Sequence, residues 1–164
     1  MIAQSPARLT PLHHTHISLG AQMSDLDGWQ LPASYGAAEQ EAAAIRETAG
    51  ICDVTGKAIL RVKSKHLQGD APVGRLTLND GLTFVKLTAD ELLVIGSTSN
   101  VDQWRTDAAD AKNAPHVIDL TSGFASFRIA GLKSRDLLAA MTDIDLRERT
   151  MPNLTCAQAG FAGV

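Results

Sequence analysis

The sequence predicts an α+β fold: a split βαβ (ferredoxin-like) antiparallel sheet with helices on one face, preceded by an N-terminal arm and a helix. Two observations lead to this prediction. From Leu92 onward, segments follow one another in the order strand, helix, strand, strand, helix, strand. Before residue 38 the chain is rich in Pro, Gly, Ser and His, which is typical of an ordered arm rather than a domain. We therefore expect an arm at residues 1–37 and a domain at residues 38–164.

The first elements of the domain have clear local signals. Residues 37–50 carry Ala and Ile at helical spacing, place Glu39 and Glu41 near the positive end of the helix, and finish at Gly50. A strand is expected at residues 57–63, where alternate side chains are apolar. Residues 65–72 are polar and predict a turn.

The later elements complete the predicted sheet. Asp80-Gly81 lies between two apolar runs and predicts a β-hairpin. We also expect a strand at residues 91–96, a helix at 99–112, and a second hairpin formed by 116–120 and 124–131. A helix at 133–141 and a last strand at 154–164 follow.

Composition narrows the classes of function. The formal net charge is −3 and Lys and Arg are scattered, which argues against nucleic-acid binding. No apolar run approaches the roughly 20 residues that span a bilayer, so no membrane association is expected. Cys52 and Cys156 form neither a disulfide framework nor a metal cluster, and each is interpreted as a small buried residue. A reduced, cytoplasmic protein is the prediction.

Three histidines, His13, His14 and His16, stand close together in the arm. They suggest a metal site, but the sequence shows no second cluster of ligands and no His-x-x-x-His spacing. We interpret them as a solvated segment and predict no metal.

Trp29 and Tyr35 are prominent because aromatic residues make up only 4% of the chain. They lie in a segment bounded by Gly and Pro. Such residues often line ligand sites, because they combine a flat apolar body with a polar tip. They equally often anchor an arm to a core. The residues alone leave both interpretations open.

Three motifs, taken in order, resemble the start of the aminomethyltransferase family, which includes the T-protein of the glycine cleavage system. They are Thr-Pro-Leu at residues 10–12, Gly-Trp-x-x-Pro-x-x-Tyr-Gly at residues 28–36, and Ala-Gly-x-x-Asp-Val-Thr at residues 49–55. Residues 82–96 and 117–164 are similar to the gamma subunit of heterotetrameric sarcosine oxidase.

This resemblance implies a pocket for tetrahydrofolate and a role in one-carbon metabolism. Tyr35, Asp53 and Trp29 are the expected cofactor-binding residues. An oxidase or dehydrogenase subunit is the implied partner. No catalytic residue is assigned, because the Gly-Gly-x-x-Asp-Asp stretch of T-proteins is missing and Asp80 stands in the hairpin turn instead.

Three functions therefore stay open. The first is a folate-binding accessory or partial subunit, because full T-proteins continue into segments expected beyond Val164. The second is a tetrahydrofolate-dependent transferase that acts alone on an N-methyl amine or aminomethyl donor. The third is an inactive, truncated fragment, with a chain that is incomplete at its C-terminus.

Overall fold

The computed structural model describes residues 8–66 and 72–163, which divide into two compact units. The first unit holds the described residues up to Gly56 together with Phe124–Leu138. The second holds Lys57–Gly123 and the chain from Ala139 onward. The predicted boundary between residues 37 and 38 lies within the first unit.

The first unit begins with a three-stranded sheet. Its strands are β1 (Arg8–Leu9), β2 (Gln22–Leu26) and β3 (Trp29–Ser34). The central strand β3 runs parallel to β1 and antiparallel to β2. Asp27 and Gly28 join β2 to β3 with φ angles of 51° and 79°, the left-handed conformation that a two-residue hairpin turn requires.

A second, two-stranded sheet completes the strands of this unit. In it β4 (Gly50–Asp53) pairs antiparallel with β10 (Phe127–Ala130). Helix α1 (His13–Ser18) connects β1 to β2, and helix α2 (Ala38–Glu47) precedes β4. Two strands that are 74 or more residues apart in sequence are thus brought together, which places Asp53 opposite Phe127.

The second unit is built on a five-stranded antiparallel sheet in the order β6-β7-β8-β5-β9. In chain order its strands are β5 (Ala58–Lys63), β6 (Leu76–Asn79), β7 (Leu82–Thr88), β8 (Glu91–Gly96) and β9 (His116–Asp119). Ser97 caps the N-terminus of helix α3 (Thr98–Ala109), because its hydroxyl accepts a hydrogen bond from the backbone N–H of Asn100. The core of the unit consists of Ala58, Leu60, Val62, Leu82, Leu92, Val94 and Val101.

The helices are short. Among the helices of the described residues, the longest is α3 with 12 residues, and α4 (Ser134–Ala139) has six. Within residues 8–66 and 72–163, no helix has the length and apolar content needed to cross a membrane.

Replacing Leu60 with alanine is expected to destabilise the second unit by about 3 kcal/mol, because its side chain is 1% exposed and a cavity would replace it. Leu78→Ala is the matched control. Leu78 is 67% exposed, so its truncation should change the free energy of unfolding by less than about 0.5 kcal/mol. Urea denaturation measures the free energy of unfolding of both variants. If the two substitutions lowered it equally, Leu60 would not belong to the core of the second unit.

The α+β class is confirmed, with antiparallel sheets and a few helices. The helix at α2, the strand at β5 and the hairpin of β6 and β7 also form as predicted. The split βαβ arrangement is not confirmed. The prediction of a hairpin between residues 116–120 and 124–131 is wrong, because β9 pairs with β5 and β10 pairs with β4.

The predicted last strand is also wrong for the residues that the structure describes. Residues 154–163 form no strand there, and Thr155 makes an isolated bridge to Arg75. Further along, the backbone N–H of Ala162 donates to the carbonyl of Met141. Residues 67–71 of the predicted turn lie outside the described residues, as does Val164.

Candidate functional site

Asp53 is the centre of a buried hydrogen-bond network in the first unit. It ends β4 and is 8% exposed. Its Oδ1 accepts from the backbone N–H of Thr55 at 2.9 Å, which closes the corner after β4. Its Oδ2 accepts from the Thr10 hydroxyl at 2.5 Å and lies 2.9 Å from Nε2 of His16. The Asp53 corner is therefore both a turn and an attachment point for the N-terminal segment.

His16 extends this network to Tyr35. Its Nδ1 lies 2.7 Å from the Tyr35 hydroxyl oxygen, and the two rings meet edge to face. His16 is buried, whereas Tyr35 is 38% exposed. The network thus runs from a buried carboxylate to a phenol at the protein surface.

The charge states follow from these contacts. Burial alone would raise the pKa of the Asp53 carboxyl, but hydrogen bonds from Thr10, Thr55 and His16 together hold it below its ordinary value. Burial raises the pKa of the Tyr35 hydroxyl, and the negative charges of Asp53 and Glu41 raise it further. At neutral pH, Asp53 is therefore ionised and Tyr35 keeps its proton.

A cavity of about 540 Å³ lies next to this network, and all of its walls come from the first unit. Its volume is within the range of small-molecule sites. The polar and charged residues that line it include Tyr35, Asp53, Glu41 and Arg128. Its apolar walls are formed by Leu12, Leu19, Pro32, Ile45, Ile51 and Phe127.

The structure brings together two of the three predicted site residues. Tyr35 and Asp53 both line the cavity and are joined through His16. Trp29 lies elsewhere. It begins β3, is 5% exposed, and has the guanidinium of Arg8 over its ring at 5.7 Å from the centroid. The buried position of Trp29 in β3 agrees with the interpretation that it anchors the N-terminal segment.

Sequence reasoning missed Thr10 and His16. The interpretation of the three histidines as a solvated segment is wrong for His16, which is 6% exposed. One signal could have found it: His13 and His16 are three residues apart and share one face of a helix. The described residues contain no group of three or more His, Cys, Asp and Glu side chains placed to hold a metal ion.

Cys52 is a further residue of the cavity wall. It precedes Asp53 in β4 and is exposed, so its interpretation as a buried residue is wrong. Cys156 is partly buried, and burial raises the pKa of its thiol. Both thiols are free.

Acid is expected to weaken the Asp53 network. The pKa of this carboxyl is lower in the folded chain than its ordinary value of 3.8. The stabilisation of the fold by the Asp53 carboxylate is therefore complete above pH 3.8, and it is lost as the pH falls through the pKa of Asp53 in the folded chain. Melting temperatures between about pH 6 and pH 2 should fall more steeply for the wild type than for Asp53→Asn, which cannot ionise. Parallel curves would contradict this assignment. The variant is needed as a reference because the half-buried Asp90 and Asp145 also have lowered pKa values.

A second cavity, of about 410 Å³, lies in the second unit. Phe84 and Trp104 form part of its wall, with ring centroids 6.2 Å apart in an edge-to-face contact. None of the predicted site residues lines it.

Known proteins resemble this chain over most of its length. The aminomethyltransferases of Streptomyces coelicolor and Thermus thermophilus are 28% and 29% identical to it, over 88% and 85% of this chain. These matches cover 45% and 47% of the two relatives. The aminomethyltransferase of Methylococcus capsulatus is 32% identical over 79% of this chain and 33% of its own length. The chain therefore spans about half or less of each of these relatives. No family model matches it.

Solved structures share its fold. The glycine cleavage system aminomethyltransferase T from Bartonella henselae superposes on 81% of this chain with a TM-score of 0.67 and 17% identity, over 43% of its own length. The heterotetrameric sarcosine oxidase from Corynebacterium sp. U-96 superposes on 71% of this chain with a TM-score of 0.53 and 17% identity, and 69% of the matched chain is covered. The resemblance inferred from the motifs is confirmed: this chain is related in sequence to aminomethyltransferases, and it shares its fold with a chain of sarcosine oxidase.

Proposed function

We propose that the first unit of this chain, which is related to aminomethyltransferases, binds tetrahydrofolate. In this proposal the chain serves one-carbon metabolism as an accessory or partial subunit and works with an oxidase or dehydrogenase subunit. Its location in the cytoplasm stays a prediction from the sequence.

The observation that supports folate binding most strongly is the meeting of two separate motifs. Tyr35 comes from the Gly-Trp-x-x-Pro-x-x-Tyr-Gly motif and Asp53 from the Ala-Gly-x-x-Asp-Val-Thr motif, and His16 links them at the edge of one cavity. A reduced pterin is flat, with an apolar body and polar edges. The cavity of about 540 Å³ is lined by both apolar and polar residues, and its size and lining therefore suit such a ring.

The state of Asp53 favours a binding role over catalysis by this site. A general base needs a carboxylate that can reach the substrate and take up a proton near the working pH. The Asp53 side chain is 0% exposed, already accepts three hydrogen bonds, and has a lowered pKa. In this proposal Asp53 therefore positions the residues around it, while Tyr35 contacts the cofactor. Tetrahydrofolate, when bound, would accept the one-carbon unit.

Calorimetric titration of the purified chain with tetrahydrofolate tests this proposal. We expect saturable binding with one site per chain, and a loss of affinity of about tenfold or more in Tyr35→Ala, which removes both ring contact and the hydroxyl. Leu78→Ala, on the exposed face of β6 in the other unit, is the matched control and should bind like the wild type. A chain that melts cooperatively but binds no tetrahydrofolate would refute the proposal.

Two further measurements separate the rival functions. Turnover of an N-methyl amine with tetrahydrofolate by the chain alone would favour the transferase. Purification of a tagged chain from its own cells, with identification of the proteins bound to it, tests the subunit role. An oxidase or dehydrogenase subunit in stoichiometric amount is the expected result.

A further inference from the structure

For a neutral His16 ring, the hydrogen-bond network determines which ring nitrogen carries the proton. Asp53 is ionised, so its oxygens can only accept hydrogen bonds. Nε2 of His16 lies 2.9 Å from Oδ2 of Asp53, and therefore Nε2 must carry a proton and donate it. In the neutral imidazole, the other ring nitrogen, Nδ1, is then a bare acceptor.

The Tyr35 hydroxyl must complement that acceptor. It lies 2.7 Å from Nδ1 and keeps its proton, so it donates its single O–H to Nδ1 of the neutral His16 ring. The phenol oxygen still has lone pairs, and Tyr35 is 38% exposed where it lines the cavity. With its proton engaged by His16, this oxygen can only accept hydrogen bonds from a molecule in the cavity.

We infer that His16 is a positioning residue that sets the Tyr35 oxygen as a hydrogen-bond acceptor, and that the cavity thereby selects ligands that present an N–H or O–H donor at that point. The inference deepens the proposed function and rests on it for the identity of the ligand, since a reduced pterin carries ring N–H groups. The orientation of the network does not depend on that identity. Asp53 orients His16, and His16 orients Tyr35.

The position of the His16 proton is measured without any ligand. Long-range proton–nitrogen NMR spectra of the full chain, with ¹⁵N-labelled histidine, distinguish a protonated from a bare ring nitrogen. The chain has five histidines, so the signals of His16 are identified by their disappearance in His16→Phe. At pH 7.5 we expect a protonated Nε2 and a bare Nδ1. The opposite tautomer, or a doubly protonated ring, would overturn the inference whatever the chain binds.

Asp53→Asn supplies the spectroscopic control. An asparagine side chain can donate as well as accept, so it no longer dictates which nitrogen of His16 is protonated. We expect the variant to show averaged or altered nitrogen signals. A purely structural role of Asp53 would leave the tautomer unchanged and would contradict its place in the network.

A double-mutant cycle tests the effect on the ligand. Tyr35→Phe removes only the hydroxyl and should weaken tetrahydrofolate binding roughly three- to tenfold, the value of one hydrogen bond. His16→Phe should cause a similar loss, and the double variant should lose no more than either single variant, because both act through one hydrogen bond. Additive losses, or wild-type affinity in Tyr35→Phe, would overturn the inference.

The two proposals fail differently. If the folded wild type binds no tetrahydrofolate but shows the expected tautomer, the folate assignment fails and the acceptor role of Tyr35 stands. If tetrahydrofolate binds but the tautomer is reversed, the proposed function stands and this inference fails. Melting curves of every variant identify any that do not fold. If His16→Phe is one of these, the His16 signals of the wild type are assigned from the contact of its ring with the Tyr35 ring, and the wild-type spectrum still decides the tautomer.

Discussion

Replacing Asp53 with alanine is expected to destabilise the first unit by about 3 kcal/mol. The substitution removes an acceptor from Thr10, from His16 and from the backbone N–H of Thr55. Hydrogen bonds to a charged group are among the stronger ones, and donors left unpaired in a buried site add a further cost. Calorimetry should show a melting temperature lower by roughly 6–12 °C.

Asp25→Ala is the matched control for this variant. Asp25 lies in β2 of the same unit and is exposed, so its loss should change stability by less than about 0.5 kcal/mol. If Asp53→Ala and Asp25→Ala melted at the same temperature, Asp53 would not hold the N-terminal segment in place.

Replacing Gly131 with alanine is expected to cost at least about 3 kcal/mol, because two obstacles coincide at this position. Its φ angle is +123°, a conformation that residues with a side chain rarely adopt. A Cβ there would also lie 2.6 Å from the carbonyl oxygens of both Ile45 and Thr48, which are backbone atoms and cannot rotate away.

This second prediction concerns the cavity as well as stability. Gly131 directly follows β10, and Ile45 at the end of α2 is part of the cavity wall. Gly131→Ala should therefore also weaken tetrahydrofolate binding in the titration described above. Gly123→Ala is the control, since a Cβ at Gly123 would meet no atom within 4 Å. Similar stability of the two variants in urea denaturation would contradict the close approach of α2 to the chain after β10.

The sequence predicts those parts of the fold whose signals are local. Residues 38–47 show helical spacing with acidic residues at the start. The hairpin turn at Asp80-Gly81 has the φ angles of 48° and 75° that Asp and Gly accept most readily. The same dipeptide at Asp27-Gly28 makes the turn between β2 and β3. That hairpin was missed because the Pro- and Gly-rich composition around it indicated an ordered arm rather than part of a domain.

Pairing partners could not be predicted in the same way. Apolar alternation identifies β9 and β10 as strands, but it does not say which strand each one joins. Thr121 shows why the expected hairpin does not form: its hydroxyl accepts from the backbone N–H of Ile59, so the segment after β9 stays bound to β5.

Sequence motifs pointed to only some of the residues around the cavity of the first unit. Tyr35 and Asp53 belong to motifs of the related family, and both line the cavity. His16 belongs to none of the quoted motifs. Its place in the network depends on Tyr35 and Asp53, which are 19 and 37 residues away in the sequence. A buried histidine between a carboxylate and a phenol becomes recognisable only once the chain is folded.

A crystal structure of the chain grown with saturating tetrahydrofolate tests the central claim most directly. We expect the pterin ring in the cavity of the first unit, with a ring N–H within hydrogen-bond distance of the Tyr35 oxygen and the contact between Tyr35 and His16 unchanged. A ring bound in the second cavity beside Phe84 and Trp104, or no bound ring at all, would contradict the assignment of folate binding to the cavity that Tyr35 and Asp53 line.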